Sequence, residues 1–142
     1  MKYLNTRRKR FMFACLLIVV IYFSLSGWIS MEVKKTIRSV LLTEDFIKNE
    51  KNIKKEAFDN FLRFSGREVY PLYNKNDVEI DVVVSQPISI HYFVGGYAWM
   101  TYRYRGIDKK TNEILFGANA PIRIKVDLVK GRWKIIKKWE KP

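Results

Sequence analysis

The sequence is poor in the residues that carry metal and redox chemistry. Among 142 residues there is one cysteine, Cys15, and one histidine, His91. A single cysteine excludes a disulfide scaffold, and without a CxxC pair or a Cys/His cluster there is no basis for a zinc site, haem attachment or thiol redox centre. The sequence also lacks a phosphate-binding glycine loop and a nucleophile elbow. We therefore expect no metal and no cofactor, and catalysis has no support from motifs.

Acidic residues are also scarce. The chain has 14 Asp and Glu against 27 Lys and Arg, a formal net charge of +13. Lys2 and the run Arg7 to Arg10 supply +5 of this, which leaves +8 for the remainder. Such a balance predicts attraction to anionic lipid, cell-wall polymer or nucleic acid, and it does not choose among them.

One stretch, from Phe11 to Ile29, has no charged residue. Its nineteen residues would form a helix about 28 Å long, close to the ~30 Å hydrocarbon layer of a bilayer. Eleven of them are Leu, Ile, Val or Phe, which favours insertion, and Trp28 stands at the far end as an interfacial anchor. We predict a basic tail over 1–10, a transmembrane helix over 11–29 in contact with the lipid bilayer, and a folded domain over 30–142.

Two other interpretations of this stretch stay open. Its densest part, Phe11 to Phe23, is short enough for a signal-peptide core, and Ser24-Leu25-Ser26 resembles a small-x-small cleavage site. Lipid attachment at Cys15 has less support, because the apolar run follows that residue instead of preceding it. Cleavage would give a mature chain that starts at Gly27.

The flanking charges predict the orientation of the span. Five basic residues precede it, whereas Lys34, Lys35 and Arg38 follow it and are partly offset by Glu32. Because the more basic flank stays inside, the N-terminus is expected in the cytoplasm and the folded domain outside the cell membrane.

Apolar residues then recur at helical spacing. Val33, Ile37, Val40 and Leu41 form one stripe, and a similar stripe continues from Phe46 to Phe64, which predicts two amphipathic helices or one broken helix. Ser30 is expected to cap the first helix, and Thr43 with Glu44 and Asp45 the second. Ser65-Gly66 is predicted to close the helical region, and Tyr70 to Lys75 to form the loop that follows.

From Asn76 onward the period becomes two, which predicts β-strands. Gly95-Gly96 is predicted as a turn, and helices followed by antiparallel strands indicate an α+β domain whose helices cover one face of a curved sheet. The third predicted strand is the run Tyr97 to Arg105, which is rich in aromatic and β-favouring residues. The apolar positions of the other predicted strands are Val78, Ile80, Val82 and Val84; Ile88, Ile90, Tyr92 and Val94; Ile122, Ile124, Val126 and Leu128; and Trp133, Ile135 and Trp139.

Two segments suggest a family. YAWMTYRYR, from Tyr97 to Arg105, and VDLVKGRWKIIKKWEKP, from Val126 to Pro142, resemble the final strands of the nuclear transport factor 2-like, cystatin-like cone superfamily, in its small membrane-anchored bacterial members. The resemblance covers roughly Glu32 to Pro142. It implies a cone in which a bent sheet wraps around helices, and it implies no single function, because the superfamily includes enzymes, binding modules and assembly parts.

The residues that could serve an enzyme are few. Enzymes of this superfamily place acids, His or Tyr inside the cone, so that His91 with Asp81 or Tyr102 is the combination to test. His91 is out of step with Ile88, Ile90 and Tyr92, and we interpret it as a surface or edge histidine on the opposite face. Glu79 and Asp81 lie on a polar strand face and are more easily paired with lysines than used as general acid and base.

A basic sheet face is the more informative feature. If Ala98, Met100, Tyr102 and Tyr104 point inward, strand alternation places the intervening side chains outside. Six cations would then share the outer face with Trp99, a contact aromatic of the kind favoured at interfaces. The plainer alternative is a solvated face that keeps the sheet soluble. The predicted binding residues are Arg103, Arg105, Arg123, Lys125, Lys134, Lys138 and Trp99.

Together these features favour a membrane-tethered, non-enzymatic interaction domain. Its expected partner is another envelope protein or a second copy of the chain, or else an anionic surface. A small-ligand or enzyme pocket inside the cone is the first alternative. The second is an accessory part of an envelope-spanning machine, because the layout is similar to that of the bridging inner-membrane component of type IV secretion systems. Nucleic acid is not expected, because no recognition motif accompanies the charge.

Overall fold

Three helices and five strands follow one another along the part of the chain that the structure describes. The computed structural model describes residues 2–63 and 76–140. The helix end predicted at Ser65-Gly66 and the loop predicted over Tyr70 to Lys75 lie outside these residues. The elements are α1 Lys2–Thr43, α2 Phe46–Asn49, α3 Lys55–Arg63, β1 Val78–Val84, β2 Ile88–Tyr92, β3 Gly95–Asp108, β4 Ile114–Val129 and β5 Arg132–Glu140.

α1 is one continuous helix, so the expectation that a new helix begins at Ser30 is wrong. The Ser30 hydroxyl donates to the carbonyl of Pro87 (3.3 Å) instead of capping a helix. The cap predicted between Thr43 and Asp45 falls on Asp45, whose carboxylate accepts hydrogen bonds from the amides of Ile47 and Lys48. The apolar stretch and the first amphipathic stripe, Val33 to Leu41, therefore belong to a single helix.

The two halves of α1 have different surroundings. All residues from 7 to 24 are exposed, including the apolar ones, whereas Ile29, Val33, Ile37 and Val40 are buried at helical spacing against the sheet. In the described part of the chain, α1 is the one helix long and apolar enough to cross a membrane. The exposed run from Phe11 to Phe23 is apolar on all sides of the helix, which is typical of a segment that contacts lipid.

The strands form a curved, open antiparallel sheet, which confirms the predicted α+β class. The order is β1-β3-β4-β5, with β2 also paired to β3. β1 pairs with the second half of β3 and β2 with the first half, so the two short strands share one edge. Gly95-Gly96 begins β3, which corrects the predicted turn; the turn consists of Phe93 and Val94.

A bulge separates β1 from β2. Val84 pairs with Tyr102 and Ile88 pairs with Trp99, so four steps along the edge face three steps along β3. One extra residue reverses the side to which each following side chain points. Ile88, Ile90 and Tyr92 consequently face outward, and Ser89 and His91 face α1.

A second bulge lies in β5. Val126 pairs with Ile135 and Lys125 pairs with Lys137, so Ile136 has no partner in the ladder. The residues after Ile136 are again reversed in direction. This bulge decides where Lys138 and Trp139 lie.

The core fills the space between the helices and the inner face of the sheet. Among its apolar and aromatic side chains that are at most 1% exposed, the largest are Tyr102, Tyr104 and Phe61. Burying a side chain of this class contributes about 1.5–3 kcal/mol relative to its exposure. The segment before α3 also pairs with the edge of β5, since the amide of Lys54 donates to the carbonyl of Ile135 (2.8 Å).

Candidate interaction face

The outer face of the sheet, the face turned away from α1, carries two cross-strand rows. Residues paired in an antiparallel sheet point to the same side and stand about 5 Å apart. The pairings therefore align side chains from β2 to β5 in rows. Each row begins with an apolar side chain in β2 and contains basic side chains in β4 or β5. The rows are Ile88, Trp99, Arg123 and Trp139, and Ile90, Tyr97, Lys125 and Lys137.

Two aromatic rings contact one guanidinium within these rows. The Arg123 Cζ atom lies 4.7 Å from the ring centroid of Trp139 and 5.9 Å from that of Tyr97. Lys137 Nζ lies 5.3 Å from the Trp139 ring. Tyr97 is also 6.2 Å from Trp99, centroid to centroid. We call these five residues the aromatic–basic cluster; cation–π contacts hold its cations in fixed directions while the side chains stay open to solvent.

A groove borders the cluster. It has a volume of about 680 Å³ and runs from the bulge at Ser85 and Gln86 to Pro121 and Glu140, with Trp99 and Trp139 in its wall. Trp99 remains 39% exposed. A partner side chain could therefore enter beside an indole that is already fixed by the sheet.

Among the other predicted cations of this face, Lys125 stands between Tyr97 and Lys137 in the second row. Arg103, Arg105 and Lys134 are separate from the cluster. Arg103 and Arg105 follow Trp99 along β3 by four and six residues, about 13 and 20 Å in a strand. Arg103 Nη2 is bound to Asp81 Oδ2 at 3.1 Å, and both side chains are about one-third exposed. Lys134 pairs with Asp127. The predicted face thus exists for five of its six cations and for Trp99, but its charges do not converge on one point.

Lys138 corrects the prediction, because it lies on the inner face. Its side chain is 0% exposed, and its ammonium is bound to the Glu140 carboxylate and to the carbonyl of Asn60 (3.2 Å). The bulge at Ile136 reverses the alternation on which the sequence prediction relied. The same reversal brings Trp139, which was expected inside, to the outer face.

Lys138, Glu140 and Tyr102 form a buried polar group. The Tyr102 hydroxyl donates to Glu140 Oε1 at 2.7 Å. Burial, with the neighbouring carboxylate of Glu140 as a second cause, raises the pKa of Tyr102 above its usual range. Burial lowers the pKa of Lys138, although the carboxylate opposes this shift. These groups satisfy one another inside the core, and that geometry suits a structural role.

The candidate acid–base residues are not brought together. Asp81 pairs with Arg105 and His91 with Gly96, nine residues or about 30 Å apart along β3. His91 lies on an edge strand, β2, and on the face opposite the apolar stripe of that strand, as predicted. It is buried, however, so its interpretation as a surface histidine is wrong. Its ring stacks on Tyr22 with centroids 4.4 Å apart, and Tyr102 is occupied by Glu140.

Sequence reasoning missed three members of the cluster, namely Tyr97, Lys137 and Trp139. Tyr97 was available from its alternation with Trp99, since residues two apart share a face. Lys137 and Trp139 also alternate with each other, but they lie on this face only because of the bulge at Ile136. No glycine or proline there indicates a bulge in the sequence.

No protein-family model matches the chain, and no curated protein matches it at a significant level. The residues and their geometry are therefore the grounds on which a function can be proposed. We base the proposal on the aromatic–basic cluster, because its cations and aromatic rings contact one another on the exposed face of the sheet.

Proposed function

We propose that this chain is a membrane-anchored, non-enzymatic interaction domain. α1 spans the cell membrane with its N-terminus in the cytoplasm, and the sheet stands outside. The aromatic–basic cluster binds an acidic segment of another envelope protein. The observation that carries the proposal is an exposed Arg123 in contact with the rings of Tyr97 and Trp139, on a sheet packed against a helix apolar enough to cross a bilayer.

The composition of the cluster supports a protein partner. Trp, Tyr and Arg dominate binding energy at protein interfaces, where an aromatic side chain shields a charge from water. The groove beside Trp99 could accept a partner side chain, and such shape recognition is not available from net charge alone. An anionic membrane surface is the second candidate, since Lys125, Lys134 and Lys137 lie on the same face, and attraction to such a surface depends on charge number more than on position.

The fold supports a binding module more than a pocket protein. We propose that the curved sheet and helices adopt the cone-like packing of the nuclear transport factor 2-like superfamily. The inner face is occupied by Tyr102, Tyr104 and Phe61, which leaves the interior-pocket alternative with little support. A role as an accessory part of an envelope-spanning machine stays a prediction about where such a module would act.

The proposal can be tested by crosslinking in intact cells. A photoreactive residue at Thr101, which lies on the exposed face between Trp99 and Arg103, should yield a discrete adduct with one envelope protein. Arg123→Ser should reduce that adduct about tenfold or more, because losing an interfacial hot spot costs about 2 kcal/mol. Arg103→Ser is the matched control: it removes the same charge from the same face but outside the cluster.

The two candidates give different results. A protein partner requires loss with Arg123→Ser and retention with Arg103→Ser. Equal weakening by both changes, measured as binding to anionic vesicles, would favour the membrane surface. An unchanged adduct in Arg123→Ser would contradict the cluster as the binding site.

A further inference from the structure

The β2–β3 hairpin, residues 88–96, has an inverted pattern of burial. Ile88, Ile90 and Tyr92 in β2 are exposed, and so are Phe93 and Val94 in the turn, with Phe93 79% exposed. Ser89 and His91, the polar residues between them, are buried. In β3 the order is the usual one, with Ala98 and Met100 inside. An edge strand with apolar side chains outside is an aggregation hazard in water.

The buried polar groups of the hairpin are bonded to α1. The hydroxyls of Ser26 and Ser89 are 2.6 Å apart, and His91 Nε2 lies 3.1 Å from the carbonyl oxygen of Tyr22. Polar side chains turned to a helix and apolar ones turned outward are the arrangement of proteins in lipid. We propose that the β2–β3 hairpin is a second membrane element, which inserts into the outer leaflet of the bilayer beside α1.

The length of α1 gives a reason for this position. The stretch without charge between Arg10 and Glu32 has 21 residues, or about 32 Å of helix, enough for one hydrocarbon layer. Tyr22, on which His91 stacks, precedes Glu32 by ten residues, about 15 Å along the helix. A bilayer that ended below Tyr22 would have only about 17 Å of apolar helix, roughly half its thickness. The hairpin must therefore share the bilayer with α1.

The backbone of the hairpin is suited to lipid. Hydrocarbon offers no hydrogen bonds, so exposed carbonyl and amide groups are costly there. The free edge of β2 lies against two hydroxyls of α1: Ser30 donates to the carbonyl of Pro87 (3.3 Å) and Ser26 to that of Ser89 (3.4 Å). At the turn, the carbonyl of Val94 accepts from the amide of Leu128 (2.7 Å). The spacing of the two serines, one helical turn, matches alternate carbonyls of the strand.

The cleft between α1 and the hairpin is suited to an acyl chain. It has a volume of about 140 Å³ and is lined by Ile18, Ile21, Leu25, Tyr92 and Phe93 among others. These side chains are apolar or aromatic, so hydrocarbon would fill the cleft better than water would.

The insertion rests on the proposed span of α1, and one experiment separates the two. Cys15→Ser gives a chain without cysteine, into which single cysteines are placed for nitroxide labelling of the full chain in vesicles of mixed anionic and zwitterionic lipid. The positions are Phe93→Cys in the turn, Ile18→Cys in the span and Ile47→Cys as control. Ile47 is an exposed apolar residue, at 83%, far from the hairpin in α2.

Collisions with oxygen, which concentrates in lipid, are compared with collisions with a water-soluble nickel complex. The ratio of oxygen to nickel collisions at Phe93→Cys should be severalfold higher than at Ile47→Cys and similar to that at Ile18→Cys. A lipid-like ratio at position 18 with a water-like ratio at 93 would overturn the insertion and leave the anchor standing. A water-like ratio at both positions would overturn both proposals.

Discussion

Replacing Lys138 by alanine should strongly destabilise the folded domain. The ammonium of Lys138 is bound to the Glu140 carboxylate and lies 4.5 Å from the ring centroid of Phe61. Its removal leaves a carboxylate whose side chain is 18% exposed without its counter-charge. Removing one partner of a buried ion pair costs about 3–5 kcal/mol, and the remaining solvent contact of Glu140 favours the lower end, ~3 kcal/mol.

Thermal unfolding of the full chain in detergent micelles, followed by near-ultraviolet circular dichroism, measures this loss. At about 5 °C per kcal/mol for a domain near 100 residues, the expected fall in Tm is ~15 °C. Lys137→Ala is the control. Lys137 is the exposed neighbour of Lys138, and a surface change of this kind costs within about 0.5 kcal/mol.

Equal Tm values for the two alanine variants would refute the bulge at Ile136, because Lys138 would then be a surface residue like Lys137. The double change Lys138→Met with Glu140→Gln tests the cause. It removes both charges and keeps an acceptor for Tyr102, so most of the loss should be recovered, as when buried ion pairs are replaced by uncharged groups. A double variant as unstable as Lys138→Ala would show that the carboxylate left behind is not the reason.

The remaining predictions also concern the core. Because burial raises the pKa of Tyr102, its contribution to stability is complete below the unfolded pKa of about 10 and falls as the pH rises above it; between pH 10 and 11 the chain should lose ~1 kcal/mol more than Tyr102→Phe. Identical alkaline unfolding curves would contradict this. A Cβ atom at Gly106 would lie 2.2 Å from the Phe116 ring, so Gly106→Ala should cost about 1–3 kcal/mol by overpacking. Phe116→Leu in the same chain should reduce the added cost in chemical unfolding, and strict additivity of the two changes would argue against the contact.

Much of the inner face could be predicted from the sequence. Alternation correctly placed Ala98, Tyr102 and Ile124 inside, because β3 and β4 keep an unbroken register over these positions. The helical stripe that includes Val33 and Ile37 was confirmed as buried surface. In both cases one local period runs without interruption, and local periods are what a sequence displays.

The errors about which strand side chains are buried have one physical cause. A strand has a period of two, so a single extra residue reverses all side chains that follow it. The bulge before β2 coincides with Pro87, which marks an interruption without giving the number of residues involved. The bulge at Ile136 has no glycine or proline beside it. Lys138, Trp139 and His91 were therefore assigned to the wrong surroundings, and the cluster around Arg123 was only partly recognised.

The period of a strand reports that side chains alternate, and the surroundings decide which set is buried. In water the isoleucines of β2 would be the inner set. Here Ser89 and His91 are inner, and the groups that bond them, Ser26 and the carbonyl of Tyr22, belong to the stretch of α1 that has no charge. The hydrogen-bond partners on α1 therefore decide which set of side chains of β2 faces the helix. If β2 lies in lipid as proposed, its exposed isoleucines are in a favourable solvent, and their outward orientation does not destabilise the fold.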